Sequence, residues 1–284
     1  MRVTRDSDPP AGRARLRRDA RAAVLGAPRA PRAPAPKLNA ARSRPLRLAV
    51  IGDPVAHSAS PGLHRVLLAE AGLEGTSEAI AVSKGTAAAA LRRLARAGFE
   101  GVAVTTPLKE EVAALCASLE PAAVEAGAVS ALYLGSDGIR GANFDGIAAT
   151  VALAAALPVP VQGHAIAVLG VGATGRAAIA ALRSAGARVL IWNRTEERML
   201  AVARAFGVDV WDGMPLAAAF VALPPNASLP VPILRQLAAC PIVMDANYGS
   251  RATLEVQLRG PVEDGRAMLA AGARAAFVWW LAER

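Results

Sequence analysis

Three glycines, Gly170, Gly172 and Gly175, follow the apolar run Ala165-Ile-Ala-Val-Leu169 and precede a stretch with helical periodicity. G-x-G-x-x-G spacing between a strand and a helix suits a dinucleotide. The first glycine permits a tight turn, the second lets backbone approach a pyrophosphate, and the third allows close packing of helix on strand. Gly170, Gly172, Ala173, Thr174 and Gly175 are therefore expected to bind phosphates at a helix N-terminus, where free N–H groups and the helix dipole favour negative charge. About twenty residues further on, an NAD site offers an acidic side chain to the ribose hydroxyls. This chain instead has Asn193-Arg194-Thr195, with Arg198 one helical turn later. A guanidinium there suits a ribose 2′-phosphate by its charge and its forked donors. The expected cofactor is NADP.

Such a loop needs strands and helices to hold it. The pattern predicts strands over 46–52, 76–82, 101–105, 165–169 and 188–192, and helices over 61–71, 86–97, 108–117, 147–157 and 175–185. Strands separated by helices of this length imply parallel βαβ units. Two successive sets imply two α/β domains joined near residue 147.

Charge separates the ends of the chain. The whole carries 32 basic and 23 acidic side chains, a net +9. Residues 1–46 hold twelve Lys and Arg against three Asp, a surplus equal to that of the entire chain. The remainder is neutral overall, so the basic character belongs to a tail and nucleic-acid binding by the body is not expected. That tail has seven prolines and no aromatic residue. It is expected to be disordered, with a weak helical pattern over 13–25, because it has too little apolar surface to offset the entropy of ordering. An extension without a role of its own is favoured there over an arm for anionic partners or a targeting signal. Two cysteines, Cys116 and Cys240, make no disulfide framework and favour a reducing, cytoplasmic setting. The longest apolar run, 147–161, is short for a bilayer and contains Pro158 and Pro160, so no membrane segment is expected.

The first half carries a denser set of motifs. Gly52-Asp-Pro54-Val-Ala-His57-Ser58-Ala-Ser60-Pro61-Gly-Leu-His64 resembles the opening motif of the shikimate dehydrogenase family, Val104-Thr105-Thr-Pro107-Leu-Lys109 its lysine motif, and Gly141-Ala-Asn143-Phe-Asp145-Gly146 its aspartate motif. Gly127-Ala-Val129 falls where the family has the intervening segment. Asp245-Ala-Asn-Tyr248 and Asp264-Gly265-Arg-Ala-Met268-Leu269 resemble its closing motifs. The resemblance covers 47 to about 281 in order. It implies an α/β fold of two domains: a substrate domain over 47–146 completed by 265–284, and an NADP-binding Rossmann domain over 147–264. The C-terminal helix is expected to return to the first domain.

Reversible hydride transfer to a ring ketone leaves an alkoxide that must take up a proton, so the site needs a positioned acid. The resemblance assigns that role to Lys109, with Asp145 orienting it from a Gly-flanked turn. Lysine is uncommon in this chain, three among 32 basic residues, which makes Lys109 informative. Ser58 and Ser60, which would share a face if the segment is extended, are implied to bind the substrate carboxylate, with Thr105, Ser130 and Tyr248 in the same pocket. His57 and His64 match family positions, and none of the three histidines is spaced with other ligands for a metal.

Four departures stand out. Ala103, Ser130 and Phe144 replace Asn, Asn and Thr of the family pattern, and Gly272 stands where the closing helix usually has Gln. Charge recognition and redox machinery are kept while partners for ring hydroxyls are reduced, so weak binding of shikimate itself is expected. The implied activity is NADP-dependent reduction of 3-dehydroshikimate or of a related carboxylated ring ketone, in the pathway to aromatic amino acids, by a monomer or homodimer acting on a carboxylated cyclic polyol. The alternative is a redox-inactive NADP-binding paralogue that senses or scaffolds.

Overall fold

The computed structural model describes residues 44–225, 227–258 and 262–284. The tail expectation falls outside these up to residue 43. Arg44 already pairs with Glu100 at 3.0 Å, and Leu46 opens the first strand. In chain order the elements are β1 (Leu46–Gly52), α1 (Ser60–Glu70), β2 (Gly75–Ala81), α2 (Ala87–Arg96), β3 (Gly101–Val104), α3 (Lys109–Ala113), β4 (Ser118–Leu119), α4 (Pro121–Ala126), β5 (Ala131–Gly135) and β6 (Gly138–Ala142). Next come α5 (Asp145–Ala156), β7 (Ala165–Leu169), α6 (Ala173–Ser184), β8 (Arg188–Trp192), α7 (Glu196–Phe206), β9 (Asp209–Val210), β10 (Ala218–Val221), α8 (Val231–Ala238), β11 (Val243–Asp245), α9 (Leu254–Leu258) and α10 (Arg266–Glu283).

Two sheets result. The first has the order β2-β1-β3-β5-β6-β4, and the second β11-β10-β7-β8-β9. β1 is buried along almost its whole length because parallel neighbours flank it and helices cover both faces. On one face Ala87, Ala90, Leu91 and Leu94 of α2, at i, i+3, i+4 and i+7, pack with Ala49, Ile51 and Val102. On the other, α1 and α10 close over Leu46 and Leu48, with Trp280 buried and its indole N–H donating to the Leu132 carbonyl at 3.0 Å. The C-terminal helix thus completes the first core, as the resemblance implies.

The second sheet is wholly parallel. Alternate residues of its strands divide between two cores: Ile166, Val168, Ile191 and Phe220 face α5 and α6, while Ala167, Leu169, Leu190 and Val221 face Trp211 and Leu237.

Four local expectations need correction. The first sheet is mixed: β5 runs antiparallel to β3 and to β6, and β5 and β6 form a hairpin across Ser136-Asp137. α3 ends at Ala113 rather than 117, and the chain then enters the two-residue β4 beside β6. α6 begins at Ala173, directly after the second glycine, rather than at 175. Asp145 is the first residue of α5 instead of sitting in a turn, and the Asn143 side-chain oxygen, just before the N-cap Phe144, accepts its N–H at 2.9 Å.

Candidate functional site

A cleft of about 770 Å³ lies between the ends of the two sheets, within the usual range for small-molecule sites. Every site residue singled out in the sequence lines it, except Gly175. Gly175 sits behind the loop, where an added Cβ would lie 1.8 Å from the Gly170 carbonyl oxygen. That close approach lets the strand turn directly into α6, and Gly170 makes the turn with a left-handed φ of 96°.

The second-sheet wall is rich in uncommitted donors. The first N–H groups of a helix have no partner within it, and Gly172, the N-cap of α6, supplies no side-chain cap. Around Gly172 a Cβ would meet nothing within 4 Å, so the backbone there is open to a ligand. Arg194 and Arg198 are exposed, and among the described residues neither has an ion pair. Asn193 is used structurally: its side-chain oxygen accepts the Val171 N–H at 3.4 Å, and its amide donates to the Thr195 carbonyl at 3.0 Å. An open helix N-terminus with two free guanidiniums at the end of the next strand fits the phosphates of NADP.

On the first-sheet wall several polar groups already have partners. Lys109, the first residue of α3, forms an ion pair with Asp145, and both side chains are nearly buried, at 12% and 14% exposure. The Asn143 amide donates to the Ala128 carbonyl at 2.9 Å. Ser130 is engaged as well, its hydroxyl accepting the Phe144 N–H at 2.8 Å. Ser58 and Ser60 both line the cleft, but through a turn and a helix start rather than an extended segment. The Ser58 hydroxyl accepts the Ser60 N–H at 3.3 Å. Thr105 and Ala103 lie at the end of β3, with Phe144 and Gly272 on the same cleft.

Several contacts around the cleft have no sequence signal. Arg176 donates to the Ala126 carbonyl and to Glu110, both at 2.8 Å, and to the Val171 carbonyl at 3.4 Å, so it joins the glycine loop to the first lobe. Tyr248 accepts the Ala59 N–H at 3.3 Å, and Arg251 donates to His57 Nε2 at 2.6 Å. Burial first, and then Arg251, lowers the His57 pKa. His64 borders the cleft from within the core, with Nδ1 2.8 Å from the Ser77 hydroxyl and its ring edge-on to Trp280. Burial, with a smaller effect of Arg65, takes its pKa down to about 4. Nothing local in the sequence marks the pairings of Arg176 with Glu110, Tyr248 with Ala59, Arg251 with His57 and His64 with Ser77, which join residues from 13 to 194 positions apart. Asp245, buried, turns the chain toward Tyr248 by accepting both the backbone and side-chain N–H of Asn247, at 2.9 and 2.8 Å. Burial raises its pKa against those hydrogen bonds. Among the described residues no group of His, Cys, Asp or Glu is gathered for a metal ion.

A family model described as the shikimate dehydrogenase substrate binding domain matches residues 50–132. A shikimate dehydrogenase (NADP(+)) of Thermus thermophilus is 38% identical over 248 residues, covering 83% of this chain and 92% of that protein. The chain belongs to the shikimate dehydrogenase family. A second such dehydrogenase, from Acidiphilium cryptum, is 43% identical, though that match spans 56% of this chain and 57% of the relative's length. Among solved structures, the shikimate 5-dehydrogenase from another strain of Thermus thermophilus, in complex with NADP(H) and shikimate, superposes with a TM-score of 0.72. It is 33% identical and covers 84% of this chain and 94% of that one. Family membership and fold agree with the two-lobed cleft, in which the lysine and aspartate motifs face the glycine loop.

Proposed function

We propose that this protein is an NADP-dependent oxidoreductase that interconverts 3-dehydroshikimate and shikimate. The observation that carries the reading is the Lys109–Asp145 ion pair, nearly buried and facing a helix N-terminus with open donors. In this reading residues 47–146, completed by 265–284, hold the substrate, and 147–264 hold the cofactor. Gly170, Gly172, Ala173 and Gly175 form the loop around the diphosphate, and Asn193, Arg194, Thr195 and Arg198 meet the adenosine ribose and its 2′-phosphate. Ser58, Ser60, Thr105 and Tyr248 receive the substrate carboxylate and neighbouring hydroxyls, with Ser130 limited by its bond to Phe144.

Bound NADPH supplies a hydride for the ring carbonyl. Lys109 delivers a proton from Nζ to the carbonyl oxygen as it becomes an alkoxide, and the neutral amine is the base in the reverse direction. Asp145 holds Lys109 in place and, as an acceptor, bonds a substrate hydroxyl. The low exposure of the pair keeps competing water away and strengthens its electrostatics. An assembled pair of this kind speaks against the redox-inactive alternative. No described helix is long and apolar enough to cross a membrane. The reading extends to a cytoplasmic enzyme of the aromatic amino acid pathway, working as a monomer or homodimer.

The test is to add NADPH and 3-dehydroshikimate to the purified protein and follow both. Loss of NADPH absorbance matched by formation of shikimate is the expected result. Loss of neither overturns the proposal.

A further inference from the structure

Thr174 stands in the first turn of α6, where the glycine spacing makes it a phosphate neighbour, yet its hydroxyl is engaged elsewhere. Lys109 Nζ donates to Thr174 Oγ1 at 3.1 Å, and Thr174 Oγ1 donates to Asp145 Oδ2 at 3.0 Å. A hydroxyl has one proton and two lone pairs, so these two bonds use its proton and one acceptor site. The phosphate donors of the turn are then its backbone N–H groups. Three elements meet at this point: α3 brings Lys109, α5 brings Asp145, and α6 brings the only member from the cofactor side. The meeting depends on α5 lying directly on α6. An added Cβ at Gly146, next to Asp145, would fall 2.3 Å from the Ala177 carbonyl oxygen of α6.

This contact has a consequence for the lysine. An ammonium carries three N–H groups in a tetrahedral arrangement. Asp145 takes one and Thr174 takes a second, so the direction of the third is set by the protein. A lysine held at one point alone rotates about its final bond and presents a proton to the cleft in many directions. Held at two points, it presents one. Errors of about 1 Å in such placement cost up to about a hundredfold in rate.

We propose that Thr174 is a positioning residue for proton transfer: from the cofactor loop it holds Lys109 and Asp145 together and aims the remaining Lys109 proton at the substrate oxygen. The inference rests on the reading of Lys109 as proton donor, and it adds a direct link between the loop that takes the cofactor and the pair that handles the proton.

The test compares the full-length protein with Thr174→Val, Thr174→Ala, Thr174→Ser and Lys109→Met, measuring kcat and KM for shikimate with NADP, and NADP affinity by fluorescence titration. Thr174→Val keeps the shape and removes the hydroxyl. It is expected to lower kcat about tenfold while KM for shikimate and Kd for NADP stay within about threefold. Thr174→Ser should return kcat to within about threefold of the unmodified protein. In a Lys109→Met background, Thr174→Val should have no further effect, as for residues acting as one unit. Thr174→Ala is read in the same way if the valine variant folds poorly. Unchanged kcat in both apolar variants, with Lys109→Met inactive, overturns the proposal and leaves the parent reading standing. So does a tenfold weaker Kd for NADP at unchanged kcat, which would make Thr174 a phosphate ligand. Full turnover by Lys109→Met would instead remove the parent reading itself.

Discussion

On the first-sheet wall of the cleft Lys109, Asp145 and Ser130 have protein partners, whereas on the second-sheet wall the α6 N-terminus has no side-chain cap and, among the described residues, Arg194 and Arg198 have no ion pair. The difference follows from what each wall must do. Recognition of a multiply charged ligand needs donors that are free until it arrives and lose only water when it binds. Proton transfer needs a group whose direction is fixed before the reaction, which demands partners in the resting protein. A substitution of Lys109 or Asp145 should therefore change kcat, and one of Arg194 or Arg198 should change Kd for NADP.

The largest expected effect is on the paired wall. Lys109→Met keeps stem volume but removes the charge and the transferable proton, so kcat should fall by at least about a hundredfold while NADP affinity, measured by titration, stays nearly the same. Asp145→Asn should slow turnover through lost orientation, and the double variant should be no slower than the worse single one. Additive losses would mean that the two residues act separately.

On the open wall, Arg194→Ala should weaken NADP about ten- to a hundredfold and leave NAD nearly unaffected, since one charge-assisted contact to the 2′-phosphate is lost. Equal losses for the two cofactors, read by titrating each, would place Arg194 away from that phosphate.

The paired wall should also make the fold acid-sensitive. His64 has a pKa of about 4 in the folded protein, against its ordinary 6.5 when exposed. Between those values the unfolded chain binds more protons, so stability falls as pH drops below 6.5. The loss reaches on the order of 3 kcal/mol near pH 4. Denaturant midpoints from pH 7 to 5 would show this slope, and His64→Phe should flatten it. A slope that persists in the variant would assign the acid sensitivity to other groups.

Smaller effects are expected from specificity positions and from the tail. Restoring Asn at 103 and 130, Thr at 144 and Gln at 272 should lower KM for shikimate. There is space for the last, since a Cβ at Gly272 meets only the Ala148 Cβ, at 3.5 Å. The four share one ligand and need not add. An unchanged KM would mean that the existing wall already satisfies the ring hydroxyls. Deleting residues 1–43 should leave melting temperature and turnover almost unchanged, because the motifs and both sheets lie beyond them.

Legibility in the sequence followed the distance over which each feature is determined. The glycine loop and β7 were readable because one strand, one turn and one helix start specify them within eleven residues, 165 to 175. Alternation also made the parallel pairing of β7 with β8 readable, whereas β9, β10 and β11 were not among the expected strands. The first sheet departs where β4 has two residues and β5 turns straight into β6, since so short a strand carries too little periodicity to register and a hairpin adds no helix. Of the expected site residues, all but Gly175 line the cleft. Which groups touch was not readable. Thr174 on Lys109, Arg176 on Glu110 and Arg251 on His57 arise from packing between lobes, and a glycine such as Gly146 signals close approach without naming the partner.

Oxidation of shikimate tests both walls at once, the one proposed for NADP and the one proposed for a proton on a ring alcohol. Initial rates of NADPH formation should be measured for the unmodified protein with shikimate across a range of concentrations, using NADP and, in parallel, NAD. Saturable NADPH formation from shikimate and a strong preference for NADP are expected. Absence of reduced cofactor with shikimate, or equal rates with the two cofactors, would contradict it.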